Sequence, residues 1–268
     1  MPFRQAEGAF RKGAPFAFLR QAACVLLCAM AATVAAGDCP ADRPGERVAV
    51  AEVFDGDTVR LRDGRKVRFI GIDTPELGRD GRPSQPMADA ARAEVVRLLA
   101  GGLEIELRPG AERHDRYGRM LAHVFLPDGR NVTAHLLERG LGTALTVPPN
   151  LWQLACYRRA EARAQAAARG IWALDAYRQR ASESLGRNDT GFHIVTGRVE
   201  RVGESASAIW LNLTGRLALR IPRQDLPHFP QHPRLFQGRS VVARGWLHYH
   251  GGELRMTVRH PAAPTTAD

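Results

Sequence analysis

Cysteine is rare in this chain, four in 268 residues, and that excludes a disulfide-dense scaffold. Lysine is rarer, with two residues against 36 arginines. After residue 36 no apolar run approaches the roughly 20 residues of a spanning helix, so no stable membrane association is expected there. Motifs that anchor whole enzyme classes are missing too. GxSxG, HExxH, Walker and GxGxxG patterns do not occur, which leaves serine-hydrolase, zinc-protease and nucleotide-triphosphatase readings without support. There is no internal repeat, and no low-complexity tract beyond one Ala-rich helical segment.

What remains is ordinary globular material: 44% hydrophobic, 25% charged, with 26 Gly and 17 Pro. Such a composition excludes wholesale disorder, and the length allows one or two domains, each with its own core. The formal net charge of +10 favours a polyanionic partner, nucleic acid or anionic lipid. The arginine bias alone also fits plain genomic base composition. Residues 1–36 read as a secretory signal, with an uncleaved membrane anchor as the alternative. Arg4, Arg11, Lys12 and Arg20 precede a 15-residue apolar run at 22–36, which ends in Val34-Ala35-Ala36, small residues of the kind signal peptidase cuts after. Cleavage near Ala36 leaves 34 basic and 27 acidic residues, a net of +7, and implies export to the periplasm or the medium. Cys24 and Cys28 leave with the signal, so Cys39 and Cys156 become disulfide candidates in an oxidising compartment.

Along the mature chain, β-rich runs at 48–54, 58–61 and 67–72 are separated by Asp55-Gly56 and Asp63-Gly64, which predicts consecutive hairpins. A polar loop runs from Asp73 to Pro86. Helical spacing predicts helices at 87–100, 132–139 and 151–169, with strands at 103–107 and 120–126. Residues 181–190 read as a linker. Beyond them five short strands within 191–260 predict a small all-β domain, barrel or sandwich, and 261–268 read as a disordered tail.

Three clusters carry chemistry: Asp55-Gly56-Asp57-Thr58, then Arg68 followed by Asp73-Thr74-Pro75-Glu76, then Asp115-Arg116-Tyr117-Gly118-Arg119. A guanidinium inside the apolar run VRFIGI is costly unless it is paired or opens on a polar cleft. Carboxylates at strand ends offer hard oxygens of the kind Ca²⁺ takes. Two arginines beside a cation suit phosphoryl transfer, and one further carboxylate can take a proton from water. Together with the N-V-x-x-x-L-x-x-x-G-L helix at 131–141 and the P-N…G-I-W ending at 149–172, these clusters resemble the staphylococcal nuclease (thermonuclease) family over about residues 46–173.

That resemblance implies a mainly β fold with helices: a five-stranded OB-type barrel with three helices over 46–180, cutting DNA and RNA with Ca²⁺ and leaving 3′-phosphate ends. By position, Asp57, Asp73 and Thr74 match the metal ligands, Thr74 through its carbonyl. Arg68 and Arg119 match the arginines on the scissile phosphate, and Glu76 the carboxylate that activates water. Arg116 and Tyr117 fall beside the nucleotide, and Asp55 sits next to the metal and acts through water. Two departures stand out. The turn between Asp57 and Arg68 is shorter than in the type member, and Leu145-Thr146-Val147 stands where that member has tyrosines near the base. A catalytically silent nucleic-acid-binding module is the alternative, against which the complete acidic and arginine set speaks. No protein partner is implied, and a monomer is expected. Segment 187–260 carries 11 Arg against 5 acidic residues, with Phe192, Trp210, Trp246 and Tyr249 interleaved. That composition suits an OB-like binder of single strands as well as it suits core aromatics of a small barrel.

Overall fold

The computed structural model describes residues 39–42, 44–100, 102, 104–261 and 264–266; the signal segment predicted at 1–36 lies outside them. Strands β1 (Glu46–Val53), β2 (Thr58–Leu61) and β3 (Lys66–Phe69) form the expected meander. A two-residue strand β4 (Ile72–Asp73), helix α1 (Ala88–Leu98), and strands β5 (Glu104–His114) and β6 (Met120–Phe125) follow. The barrel closes in the order β1-β2-β3-β6-β5. Only β3 and β6 run parallel within it. Its alternating residues Val59, Leu61, Val67, Ile105, Leu107 and Val124 are buried in one apolar cluster, as a half-buried strand pattern requires.

Helix α2 (Val132–Glu138) starts where the Asn131 side chain accepts a 3.0 Å hydrogen bond from the Ala134 amide, an N-cap that satisfies an otherwise orphaned donor. Strand β7 (Thr143–Ala144) pairs with β4, so Thr143 sits opposite Asp73. Helix α3 (Leu154–Ala166) turns Cys156, Tyr157, Ala160 and Ala164 inward. Cys156 is joined to Cys39 across a span of 117 residues. Beneath it, the buried His123 ring meets the Tyr157 hydroxyl at 2.8 Å.

The second half departs from the expected linker. Strand β8 (Gln179–Ala181) pairs in parallel with β9 (Gly191–Glu204). Ser182 is buried, its hydroxyl 3.0 Å from that of Thr214. Segment 181–190 is therefore partly built into the second domain. Strands β10 (Ala208–Leu213), β11 (Leu217–Pro222), β12 (Ser240–His250) and β13 (Glu253–Thr257) complete the expected five. β12 pairs with β9 as well as β13, which closes a ring β9-β10-β11-β13-β12. β11 and β13 run parallel, so this ring repeats the strand order of the first barrel and is OB-like. Strand β14 (Pro264–Thr266) adds to β12 where the sequence reads as a disordered tail. Each barrel has its own apolar cluster. Phe192, Trp210, Trp246 and Tyr249 belong to neither, so the core-aromatic alternative does not account for them.

Candidate active site

The site begins at the β1–β2 turn. Asp55 Oδ1 accepts from the Asp57 amide at 3.0 Å, folding the turn back on itself. Gly56 is required by space: a Cβ there would lie 2.7 Å from Ala91 Cβ and 2.8 Å from Thr74 Cγ2. Asp57 is thereby buried, and it ties the turn to the β4 exit. Its Oδ2 accepts from the Thr74 amide and hydroxyl, both at 2.9 Å, and its Oδ1 accepts from the Thr58 hydroxyl at 3.0 Å.

Arg68, on β3, lies between the acids. Its Nη1 is 3.0 Å from Asp57 Oδ2 and donates to the Ile72 carbonyl at 2.8 Å, while Nη2 donates to Asp73 Oδ1 at 2.9 Å. The buried guanidinium is thus paired, as its place in an apolar run demanded. One arginine does not balance the acids around it. Burial, followed by the neighbouring charge of Asp57, pushes the Asp55 carboxyl up to about 6. Burial raises Asp73 as well, against the pull of Arg68. Glu76 stands exposed on the following loop, its amide held by the Gln85 side chain at 2.9 Å. Its carboxyl is raised by partial desolvation and then by Asp57 and Asp73. Among the described residues that carboxylate has no hydrogen-bond partner.

The second arginine comes from the β5–β6 turn. Asp115 accepts from the Arg119 amide at 2.9 Å and from Arg119 Nε at 2.7 Å, and from the Tyr117 amide at 2.9 Å. Among the described residues the two terminal nitrogens of Arg119 make no hydrogen bond. Arg68, Arg116, Tyr117 and Arg119 line one cavity of about 460 Å³. Arg116 lies over the exposed Tyr117 ring, 4.7 Å from its centre. Arg68 thus belongs both to the cluster with Asp57 and Asp73 and to the cavity lined by Arg116, Tyr117 and Arg119.

An unbalanced set of hard oxygens is what a divalent cation neutralises. Asp57 and Asp73 fit that role with the Thr74 carbonyl, and among the described residues no thiolate competes with them, since Cys39 and Cys156 are joined. Among the described residues no three His, Cys, Asp or Glu form a ready-made cage, so water would complete the coordination.

Sequence reasoning missed three parts. Asp115 was visible only as the first letter of its motif; its spacing of four from Arg119 across a Gly118 turn was the available signal. Trp246, on β12 of the second barrel, donates from its indole Nε1 to Asp73 Oδ2 at 2.9 Å. Two residues earlier Arg244 forks onto Glu161 of α3, both bonds 2.7 Å, and onto the Ala144 carbonyl at 2.6 Å. Nothing local in the sequence points to either contact.

An OB barrel with paired acids, two convergent arginines and an unpartnered carboxylate defines a hydrolase of the nuclease type. The comparisons agree. Residues 66–174 match the family described as "Staphylococcal nuclease homologue". A thermonuclease of Staphylococcus intermedius is 36% identical over 134 residues, 49% of this chain and 79% of that one. Endonuclease YncB of Bacillus subtilis is 33% identical over 135 residues, 48% of this chain and 63% of the relative. The chain belongs to the staphylococcal nuclease family. The matched segment ends at residue 174, before the second barrel begins.

Proposed function

We propose that this protein is an exported, Ca²⁺-dependent nuclease that cuts DNA and RNA at the bond to the 5′-oxygen and leaves 3′-phosphate ends. The observation that carries the reading is the Asp57–Arg68–Asp73 cluster with the unpartnered Glu76 beside it. Asp57, Asp73 and the Thr74 carbonyl would hold the ion, which would supply positive charge to stabilise the phosphate in the reaction. Arg68, already oriented by the two carboxylates, and Arg119, aimed by Asp115, grip the non-bridging oxygens and stabilise charge as it builds at phosphorus. Glu76 accepts the proton of the attacking water, and its raised pKa brings it closer to the operating pH of a base. Arg116 and Tyr117 flank the nucleotide.

A DNA-loaded gel, developed with Ca²⁺ and with excess chelator, tests the metal; end-labelled products test the cut. Clearing in Ca²⁺ alone with 3′-phosphate termini is expected. Full activity in chelator removes Asp57 and Asp73 from a metal role, and 5′-phosphate termini overturn the assigned bond.

A further inference from the structure

Trp246 belongs to the second barrel yet stands at the catalytic site of the first. Its indole N–H is committed to Asp73, which anchors one edge of the ring. It nevertheless stays 36% exposed and lies outside the apolar core of its own barrel. An anchored indole held partly in solvent is a poor use of a large apolar surface unless something covers it.

Its neighbours supply the context. Trp246 pairs directly with Phe192 across the β12–β9 ladder. Phe192 meets Tyr177 with ring centres 5.6 Å apart. The three aromatics and Asp73, Thr74 and Arg180 line a cavity of about 480 Å³, within the roughly 300–1,000 Å³ typical of small-molecule sites. Trp246 also borders the adjoining cavity that contains Glu76, Arg79 and Arg82. The indole therefore stands between an aromatic wall and the acid–arginine site, with guanidinium groups on the side where a polyanion would run. Arg244 fixes this arrangement by clamping β12 to α3.

We propose that Trp246, backed by Phe192 and Tyr177, is a nucleobase platform contributed by the second barrel, stacking on a base that flanks the scissile phosphate in single-stranded nucleic acid. The inference rests on the nuclease reading of the Asp73 site. It adds an aromatic surface from the second barrel to that of Tyr117, on the side where the first barrel offers Leu145, Thr146 and Val147. Stacking of this kind tolerates any base, because every base has a π face.

The test is binding of a fluorescein-labelled thymidine oligonucleotide, followed by anisotropy in chelator so that nothing is cut. W246A should raise Kd about 5- to 150-fold, the range that one lost stacking contact produces. W246F keeps an aromatic face but loses the N–H, and should stay within about threefold of wild type. Abasic substitution at the flanking nucleotide should weaken wild type and add nothing to W246A. In Ca²⁺, W246A should raise KM well beyond W246F, which loses the same N–H to Asp73 but keeps an aromatic face. Equal Kd for wild type and W246A overturns the platform, as does a wild type that binds no oligonucleotide. So does W246F failing as far as W246A, which would make the indole a support for Asp73. If W246A misfolds, W246L serves in its place, keeping apolar bulk without a π face, and its Kd equal to that of wild type overturns the platform. A wild type that binds through Trp246 but cuts nothing keeps the platform and overturns the nuclease reading.

Discussion

Two residues in the cleft differ in what a conservative change removes. Glu76→Gln keeps size and reach but cannot take a proton, so turnover should fall at least about 10²-fold while binding survives. Arg119→Lys keeps charge but loses the planar fork, and Nε, which holds Asp115 at 2.7 Å, is lost with it. Turnover should fall comparably, because an ammonium does not reproduce a bidentate grip on phosphate; rescue by Lys would reduce the role to charge. Far from the cleft, burial and then Arg108 push the imidazole of His123 down to about 4. The unfolded chain, with its imidazole near 6.5, takes up the proton first as pH falls. The stabilisation is therefore complete above about 6.5 and lost progressively towards 4, amounting to about 3 kcal/mol. Because the raised Asp55 carboxyl contributes with the opposite sign over the same range, the slope is read as the difference in urea midpoints between wild type and His123→Phe from pH 7 to 4. His123→Phe should lack this component, though it is less stable at pH 7 for want of the Tyr157 contact.

At the scale of elements, the meander, the three helices and the five later strands were legible because period-2 alternation, Asp-Gly turns and glycine stops act locally. The acids and arginines of the candidate site were legible for a different reason: they sit in short motifs at the ends of those strands. Neither signal reaches across the chain. The hydrogen bond from Trp246 to Asp73 spans 173 positions, and it depends on how β12 meets α3. Ser182 read as linker because its neighbours are polar, yet it is buried through pairing of β8 with β9. The β12–α3 contact makes a prediction of its own. Arg244→Ala leaves Glu161, with 5% of its side chain exposed, without its buried cation. That should cost about 3 kcal/mol in chemical denaturation, with partial recovery in the Arg244→Ala, Glu161→Gln double variant. No loss in the single variant would mean that water replaces the guanidinium without cost.

The described residues build two rings of the same strand order, each with its own apolar cluster, joined through charged and aromatic side chains. Both partners of the disulfide pack in the apolar cluster of the first-barrel half of the structure. The loop they close spans 117 residues, and opening it should cost that half about 4–5 kcal/mol on the chain-entropy account. Nothing comparable braces the second ring. A calorimetric scan should accordingly resolve two endotherms, and a reducing agent should displace one of them to lower temperature while the other keeps its position. The thiol reagent then serves as a label that tells which melting event belongs to which ring. A single peak that moves as a whole would instead mean that the Arg244 clamp makes the two rings melt as one.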